Sequence, residues 1–365
     1  MVVTYHYSCA FQPYQQIQPF FDGPLAVSLF FIMSGFVLTG GFDGERNSTI
    51  GLISGRVSRL LLPTITVVVI ASVLYGYLQP VTARAARIFG AHYFYYWFAI
   101  QPRGLPIFSG NLVGLFLGFS NMSLIHLPIQ IVDYEAAVPP TWTIAYEIYG
   151  SIMVLALVRL YRFSRPLWFC AITGSLFAFG ISEFGLFVAG HAARIIWKPD
   201  QAEKFNVFAM VIAIAAVYAL MVTRINLNRN FHFFDVLANG ILAHPSPINS
   251  LHSVFGIVVF VVVTYSRWLQ RALSLRPLLY LGRLSFSVYL IHWPLMLWVG
   301  SGLYLLIGTE LPVTRGVIFV AGIIITIILA MAFERCVDAP AIAFGRLLKG
   351  GRRPQELPVA VATQV

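Results

Sequence analysis

Long apolar runs alternate with short polar segments along nearly the whole chain. About 20 apolar residues are needed to cross the hydrocarbon core of a bilayer as a helix. The runs are Pro24–Gly41, Leu60–Leu78, Trp142–Leu160, Phe205–Val222, Val254–Trp268, Leu284–Leu306 and Val313–Phe333. They are continuous rather than alternating, which predicts helices and not the strands of a barrel. The pattern therefore predicts an all-α protein, a polytopic bundle of transmembrane helices.

The number of crossings is predicted to be about ten. Ile88–Ile100 and Ile107–Phe119 are further candidates that either cross or re-enter the membrane. Leu167–Gly190 fits one long helix or two short ones. Composition agrees with residence in a membrane, because 58% of the residues are apolar, 10% are charged and the mean hydropathy is +0.79. These values lie outside the range of soluble globular domains.

The net charge of +10 could suggest a nucleic-acid partner, but the positions of the charges do not support one. The 24 Lys and Arg residues fall mainly between the apolar runs and form no separate basic domain, so nucleic acid is not a predicted partner. They fit topology signals that mark the cytoplasmic side. The clusters are Arg56 and Arg59; Arg159, Arg162 and Arg165; Arg267, Arg271, Arg276 and Arg283; and Arg346, Lys349, Arg352 and Arg353. Plasma membrane and endomembrane both fit this pattern.

The domain organisation is predicted to be simple, with one transmembrane domain over residues 1–345. Residues 346–365 are expected to form a disordered cytoplasmic tail, since the segment is mainly polar and contains proline. Three scattered cysteines, Cys9, Cys170 and Cys336, have neither metal-site spacing nor a disulfide framework. Met1–Ala10 lacks the basic start and long apolar core of a signal peptide, so insertion is expected to rely on internal spans.

Polar groups in and beside the spans are the candidate functional residues, because they are costly at membrane depth. His6 can act as a general base near neutral pH, or cap a helix end at the interface. Arg56 and Arg59 share one helix face, where they can bind phosphates or act only as positive-inside markers. Ser34 and Gly35 are a pair of small residues within the apolar run Pro24–Gly41, which predicts close packing against another helix.

Two further polar residues lie deeper in their predicted spans. Glu147 is about one turn inside the run that follows Pro139 and Pro140, so it is expected to pair with a cation or to stay protonated. It can line a polar cavity or join two helices. His292 lies on the order of 13 Å beyond Arg283 by helical rise, and Pro294 weakens the helix near it.

These segments, in this order, resemble the acyltransferase 3 family of integral membrane acyltransferases, over nearly the whole chain. The matching strings are the histidine-containing end of a first helix at Val2–Tyr7, FFIMSGFVL at Phe30–Leu38, RVSR followed by Pro63, WTIAYE at Trp142–Glu147, LGRLSFSVYLIHWP at Leu281–Pro294, and an acidic segment closing on proline at Glu334–Pro340. The resemblance implies transfer of an acyl group, commonly acetyl, from a cytoplasmic acyl-CoA thioester to a hydroxyl of a sugar, glycan or secondary metabolite.

The resemblance also implies roles for individual residues. His6 would be the general base for the hydroxyl, Arg56 and Arg59 would bind the donor phosphates, and Glu147 and His292 would shape the polar cavity and orient the substrates. Neither a metal nor a permanently bound cofactor is implied, because the activated acyl group arrives on coenzyme A as a co-substrate. The expected partners are an acyl-CoA donor such as acetyl-CoA, a hydroxylated acceptor and the lipid bilayer.

One departure from the family pattern bears on activity. The family places an arginine about three turns before the first-helix histidine, whereas this chain starts five residues before His6. The departure predicts either a truncated start or an inactive relative. A transporter for a metabolite or a lipid-linked sugar is the alternative from another class, although the sequence shows no paired internal repeats. The segment 226–252, which carries His232, His244 and His252, is expected to be a solvated loop or to line the entrance for the acceptor.

Overall fold

The structure is a computed structural model that describes residues 1–11, 22–44, 49–89, 105–117, 138–197, 215, 250–307 and 312–349. These residues are helical apart from short turns, and no strand occurs among them. The α-helices are α1 (Val2–Phe11), α2 (Gly23–Gly44), α3 (Thr49–Phe89), α4 (Leu105–Leu117), α5 (Trp142–Phe163), α6 (Arg165–Phe179), α7 (Glu183–Ile196), α8 (Ser250–Tyr265), α9 (Arg267–Leu273), α10 (Arg276–Leu295), α11 (Ser301–Ile307), α12 (Pro312–Phe333) and α13 (Ala339–Leu348). The all-α prediction is confirmed for this part of the chain.

Five helical segments among the described residues are long and apolar enough to cross a membrane. They are Gly23–Phe42, Thr49–Ile88, Pro139–Phe163, Arg276–Ile307 and Thr314–Leu348. A sixth is reached if α8 and α9, which are bent by 95° where they meet, form one span. The predicted total of about ten is not confirmed. Phe205–Val222 lies outside the described residues apart from residue 215. Helix α4, with 13 residues, is about 20 Å long, which is short of a bilayer core.

The segment Leu167–Gly190 forms parts of two short helices rather than one long one. Helix α6 ends at Phe179, and Gly180 then takes a φ of 58°, a left-handed conformation that suits a residue without a side chain. Helix α7 begins three residues later at Glu183. The two short elements turn back on each other, and α7 packs against both α6 and α5.

Prolines and wide turns interrupt the longest helices. Helix α3 has 41 residues and contains Pro63 and Pro80. In α10, Pro294 lacks the N–H that would bond to the carbonyl four residues earlier, and a π-helical segment, Met296–Gly300, follows directly. A second π-helical segment, Glu334–Asp338, joins α12 to α13. Such segments recur at functional sites because they re-aim side chains.

Helix α2 packs against α5, α7 and α8. It approaches α7 backbone to backbone. A Cβ added to Gly35 would overlap the carbonyl oxygen of Phe187, and one added to Gly190 would overlap the carbonyl oxygen of Ile32. Close packing of small residues of this kind is common between membrane helices. The predicted packing role is confirmed for Gly35.

Large apolar side chains cover much of the outer surface. Val37 is 68% exposed, Tyr77 is 79% exposed and Leu306 is 83% exposed. An apolar surface of this extent is unusual on a soluble monomer, whereas lipid tails solvate it without cost. The surface therefore agrees with the apolar composition in indicating a membrane protein.

Helix α1 is fixed against α12 by Tyr7, which is fully buried. The Tyr7 hydroxyl donates a hydrogen bond to the carbonyl oxygen of Gly322 at 3.2 Å and lies 3.0 Å from Oγ1 of Thr326. Phe11 packs on Gly300, in the π-helical segment after α10. These contacts hold α1 between α10 and α12, and they bring His6, the residue before Tyr7, against α10.

Candidate functional site

Two histidines from opposite ends of the chain meet inside the bundle. Nδ1 of His6, on α1, lies 2.8 Å from Nε2 of His292, on α10. The two rings are nearly parallel, with their centroids 5.1 Å apart. His292 is completely buried, whereas His6 keeps partial exposure. A ligand can therefore reach His6 more readily than His292.

The hydrogen bonds fix the proton positions in the neutral pair. Nδ1 of His292 lies 2.6 Å from the backbone carbonyl oxygen of Tyr289, and a carbonyl only accepts. This nitrogen therefore carries the proton, so Nε2 of His292 is an acceptor and must receive a hydrogen bond from Nδ1–H of His6. The remaining nitrogen, Nε2 of His6, then holds a lone pair. No described residue hydrogen-bonds to it.

Tyr289 joins α10 to the start of α5. Its hydroxyl donates to the carbonyl oxygen of Pro140 and lies 2.8 Å from Oγ1 of Thr143. Pro140 belongs to a short 3-10 turn that precedes α5, and all three of its residues are buried. The amide of Val138, just before this turn, donates to Oδ1 of Asn111 on α4 at 3.3 Å. The turn is therefore held from two sides.

Glu147 lies one turn after Thr143 on α5 and is completely buried. Its Oε2 accepts a hydrogen bond from Nη2 of Arg56, which is also an ion pair. Nε of Arg56 donates to Oγ of Ser151 at 3.3 Å, and Ser151 donates in turn to the backbone carbonyl of Glu147 at 2.6 Å. The second carboxylate oxygen, Oε1, is buried and has no hydrogen-bond partner among the described residues.

Three side-chain contacts and the helix spacing between them place six polar side chains in a row from α1 to α3. We call it the polar row; its members are His6, His292, Tyr289, Thr143, Glu147 and Arg56. The helix steps within it are about 4.5 Å from Tyr289 to His292 and about 6 Å from Thr143 to Glu147. An apolar bundle tolerates buried polar side chains when they are hydrogen-bonded. Polar residues at membrane depth are costly, so the row is a candidate functional site.

A second polar cluster lies where α10 meets the link between α12 and α13. Nε and Nη2 of Arg283 both lie 2.8 Å from Oε1 of Glu334. Oγ of Ser287, one turn after Arg283, donates to Oδ2 of Asp338 at 3.5 Å. Arg59 interacts electrostatically with Asp338. We call this end of the bundle, with Arg56, Arg59 and Arg283, the arginine end.

A family model described as an acyltransferase domain matches residues 1–335, which is nearly the whole chain. The chain belongs to the acyltransferase 3 family. Membership confirms the resemblance carried by the motifs and identifies the chain as a membrane acyltransferase. A search of curated proteins and a search of solved structures each gave no match.

In this acyltransferase, the residues singled out in the sequence fall into three groups. His6 and His292 are in direct contact. Glu147 is paired with Arg56, as expected for a carboxylate buried in an apolar span. Arg59 is exposed, one turn further along α3, and does not join the Arg56–Glu147 pair.

The residues that connect these groups in the acyltransferase were not predicted from the sequence. Tyr289 lies inside the LGRLSFSVYLIHWP string, and its spacing of three from His292 is a signal that both lie on one helix face. Thr143 likewise precedes Glu147 by four. Ser151 follows Glu147 by four, the same spacing, but lies beyond the matching string. None of the three carries a charge, so a search for costly charged groups passes over them.

The loop histidines of the acyltransferase are only partly described. His232 and His244 lie outside the described residues. His252 lies in the first turn of α8, where its Nε2 is 3.1 Å from Oδ2 of Asp22. Asp22 also accepts a hydrogen bond from the amide of Leu25 at the start of α2. His252 therefore ties α8 to α2 rather than belonging to a solvated loop.

Proposed function

We propose that this membrane acyltransferase transfers an acyl group, with acetyl as the simplest case, from an acyl-CoA thioester to a hydroxyl. The acceptor is a sugar, a glycan or a secondary metabolite, and the protein crosses the plasma membrane or an endomembrane several times. The hydrogen-bond chain from the Tyr289 carbonyl through His292 to His6 carries this proposal. It leaves a lone pair on a partly exposed imidazole, which is what a general base requires.

The proposed reaction starts with the acceptor hydroxyl hydrogen-bonded to Nε2 of His6. As the hydroxyl oxygen attacks the carbonyl carbon of the thioester, its proton moves to Nε2. His292 stabilises the resulting imidazolium by accepting from Nδ1–H, while Tyr289 keeps His292 in the required tautomer. The tetrahedral intermediate collapses, the C–S bond breaks, and the thiolate of coenzyme A takes the proton from His6. The products are an ester and free coenzyme A, and the imidazole is neutral again.

Glu147 is proposed to hold a substrate rather than to transfer a proton. Its Oε2 is already bonded to Nη2 of Arg56. Its unpaired and buried Oε1 can accept a hydrogen bond from an N–H or O–H group of a bound substrate. The arginine end would receive the phosphate groups of the donor, since guanidinium groups bind phosphate with two parallel hydrogen bonds.

The test is release of free coenzyme A thiol from acetyl-CoA by membranes that contain the full-length protein, with a panel of hydroxylated acceptors. His6→Ala is expected to abolish acceptor-dependent thiol release. Gly174→Ala is the matched control, because a Cβ added at Gly174 meets nothing within 4 Å. Thiol release that is absent from the wild type with every acceptor, or unchanged in His6→Ala, would contradict the proposal. Uptake of a metabolite without thiol release would favour a transporter.

A further inference from the structure

Two helices meet backbone to backbone at the arginine end. A Cβ added to Gly55 on α3 would lie 2.6 Å from the carbonyl oxygen of Gly345 on α13, and one added to Gly345 would lie 2.6 Å from that of Gly55. Helix α13 lies beyond residues 1–335, the part that matches the family model. The contact places Arg346, the next residue after Gly345, at the same end of the bundle as Arg56.

Arg59 and Arg346 come together at this helix contact. Arg59 lies one turn after Gly55 and interacts electrostatically with two cations, Arg56 and Arg346, and with the carboxylates of Asp338 and Glu147. Arg59 and Arg346 are both exposed. Within the described part of the chain, neither lies within ion-pair distance of a carboxylate. Helix packing therefore holds like charges near one another, an arrangement that an anionic ligand would stabilise.

The other arginines of this end are already engaged. Arg56 is bonded to Glu147, and Arg283 directs two nitrogens at Glu334. Their guanidinium groups would have to leave a carboxylate before they could bind another anion. Arg59 and Arg346 face no such competition from a bonded carboxylate, so they are better placed to bind a phosphate group.

We propose that Arg346 and Arg59 form a phosphate-binding pair that takes a phosphate group of the acyl donor, so that α13 extends the donor site beyond the family-matched residues. The inference rests on the proposed function, because it takes acyl-CoA as the donor. A phosphate in a lipid headgroup offers the same chemistry, and the experiment separates the two sources.

The experiment measures binding of coenzyme A to the full-length protein in nanodiscs of phosphatidylcholine by calorimetry. Arg346→Gln is expected to weaken binding about tenfold, the effect of losing one charge-assisted hydrogen bond. Arg346→Lys should bind with intermediate affinity, because it keeps the charge but loses the planar fork. Arg271→Gln is the matched control; it removes an exposed arginine of α9 and should leave the affinity unchanged. Thermal unfolding confirms that each variant is folded.

A parallel measurement counts the phosphatidylglycerol molecules retained by the wild type and by Arg346→Gln. Retention that falls in the variant while affinity for coenzyme A stays constant would assign the arginine to lipid headgroups and overturn the inference. Equal affinity for coenzyme A and equal lipid retention would overturn it as well. If the wild type binds no coenzyme A at all, the proposed function itself is contradicted. If the wild type and the variant bind coenzyme A equally well, only the inference about Arg346 is contradicted.

Discussion

Replacing His292 with phenylalanine tests whether the histidine pair fixes the proton on His6. Phenylalanine keeps a ring in the buried position but offers no acceptor to Nδ1–H of His6. The loss of the acceptor favours the tautomer with the proton on Nε2, in which the lone pair lies on Nδ1 and Nε2 can no longer accept the proton of the hydroxyl. The unmade hydrogen bond costs about 1–3 kcal/mol. This converts to a decrease in the active tautomer of roughly 5- to 150-fold.

The expected result is a decrease of kcat by the same factor, roughly 5- to 150-fold. The KM of either substrate should change little, because the substitution alters the base and not the binding groups. His292→Gln should retain more activity, since its amide can donate to the Tyr289 carbonyl and accept from His6. The assay is acceptor-dependent thiol release with variants that elute as folded protein. A kcat for His292→Phe within twofold of the wild type, or a change confined to KM, would refute the tautomer mechanism.

Three further substitutions test the remaining parts of the structure. Glu147→Ala leaves the Arg56 guanidinium, whose side chain is 17% exposed, without its carboxylate. The free energy of unfolding, measured by denaturation in detergent, should therefore fall by about 3 kcal/mol. An unchanged midpoint would contradict the buried ion pair. Gly190→Ala should lower the free energy of unfolding by about 1–3 kcal/mol, because the added methyl group overlaps α2. Gly174→Ala is the control and should have no such effect. Equal midpoints for the two variants would show that α2 and α7 are not in backbone contact. Tyr289→Phe removes the hydroxyl that joins α10 to α5 and should cost about 1 kcal/mol of stability, and unaltered stability would argue against that link.

The apolar runs predicted several helices because the bilayer imposes a minimum length. Helices α2, α5 and α12 cover Pro24–Gly41, Trp142–Leu160 and Val313–Phe333, since each run is continuous and begins near a proline or a tryptophan. The division between α6 and α7 was not decided by hydropathy. Gly180 and its neighbours are apolar enough to continue a helix, and only the left-handed conformation of the glycine ends it.

Helix α13 includes residues that were predicted to be disordered from composition. Residues 346–348 were predicted to be part of the disordered tail, but they continue the helix that starts at Ala339. The reason is tertiary, because Gly345 packs on Gly55 and holds the helix against α3. Residues 350–365 lie outside the described residues. A charge pattern alone does not show which polar residues are packed.

The site itself depends on contacts that sequence spacing does not contain. His6 and His292 are separated by 286 positions, and Arg56 and Glu147 by 91. The cost of a buried carboxylate predicted that Glu147 needs a cation, but several arginines were available and the choice of Arg56 is tertiary. Family resemblance brought His6 and His292 into one candidate site without predicting that they touch.

The direction of hydrogen bonding distinguishes the histidine pair from His191, which is completely buried. The indole N–H of Trp168 donates to Nε2 of His191 at 2.8 Å, so Nδ1 carries the proton and donates to Oγ1 of Thr39. The Thr39 hydroxyl in turn donates a hydrogen bond to the carbonyl oxygen of Gly35. Every ring nitrogen of His191 is therefore occupied, and the residue can only hold α2, α6 and α7 together. The chain that starts at the Tyr289 carbonyl ends instead on an unoccupied nitrogen of His6, because its last member has no further protein partner among the described residues. The chemistry available to a histidine in this bundle thus depends on the partner at the end of its hydrogen-bond chain.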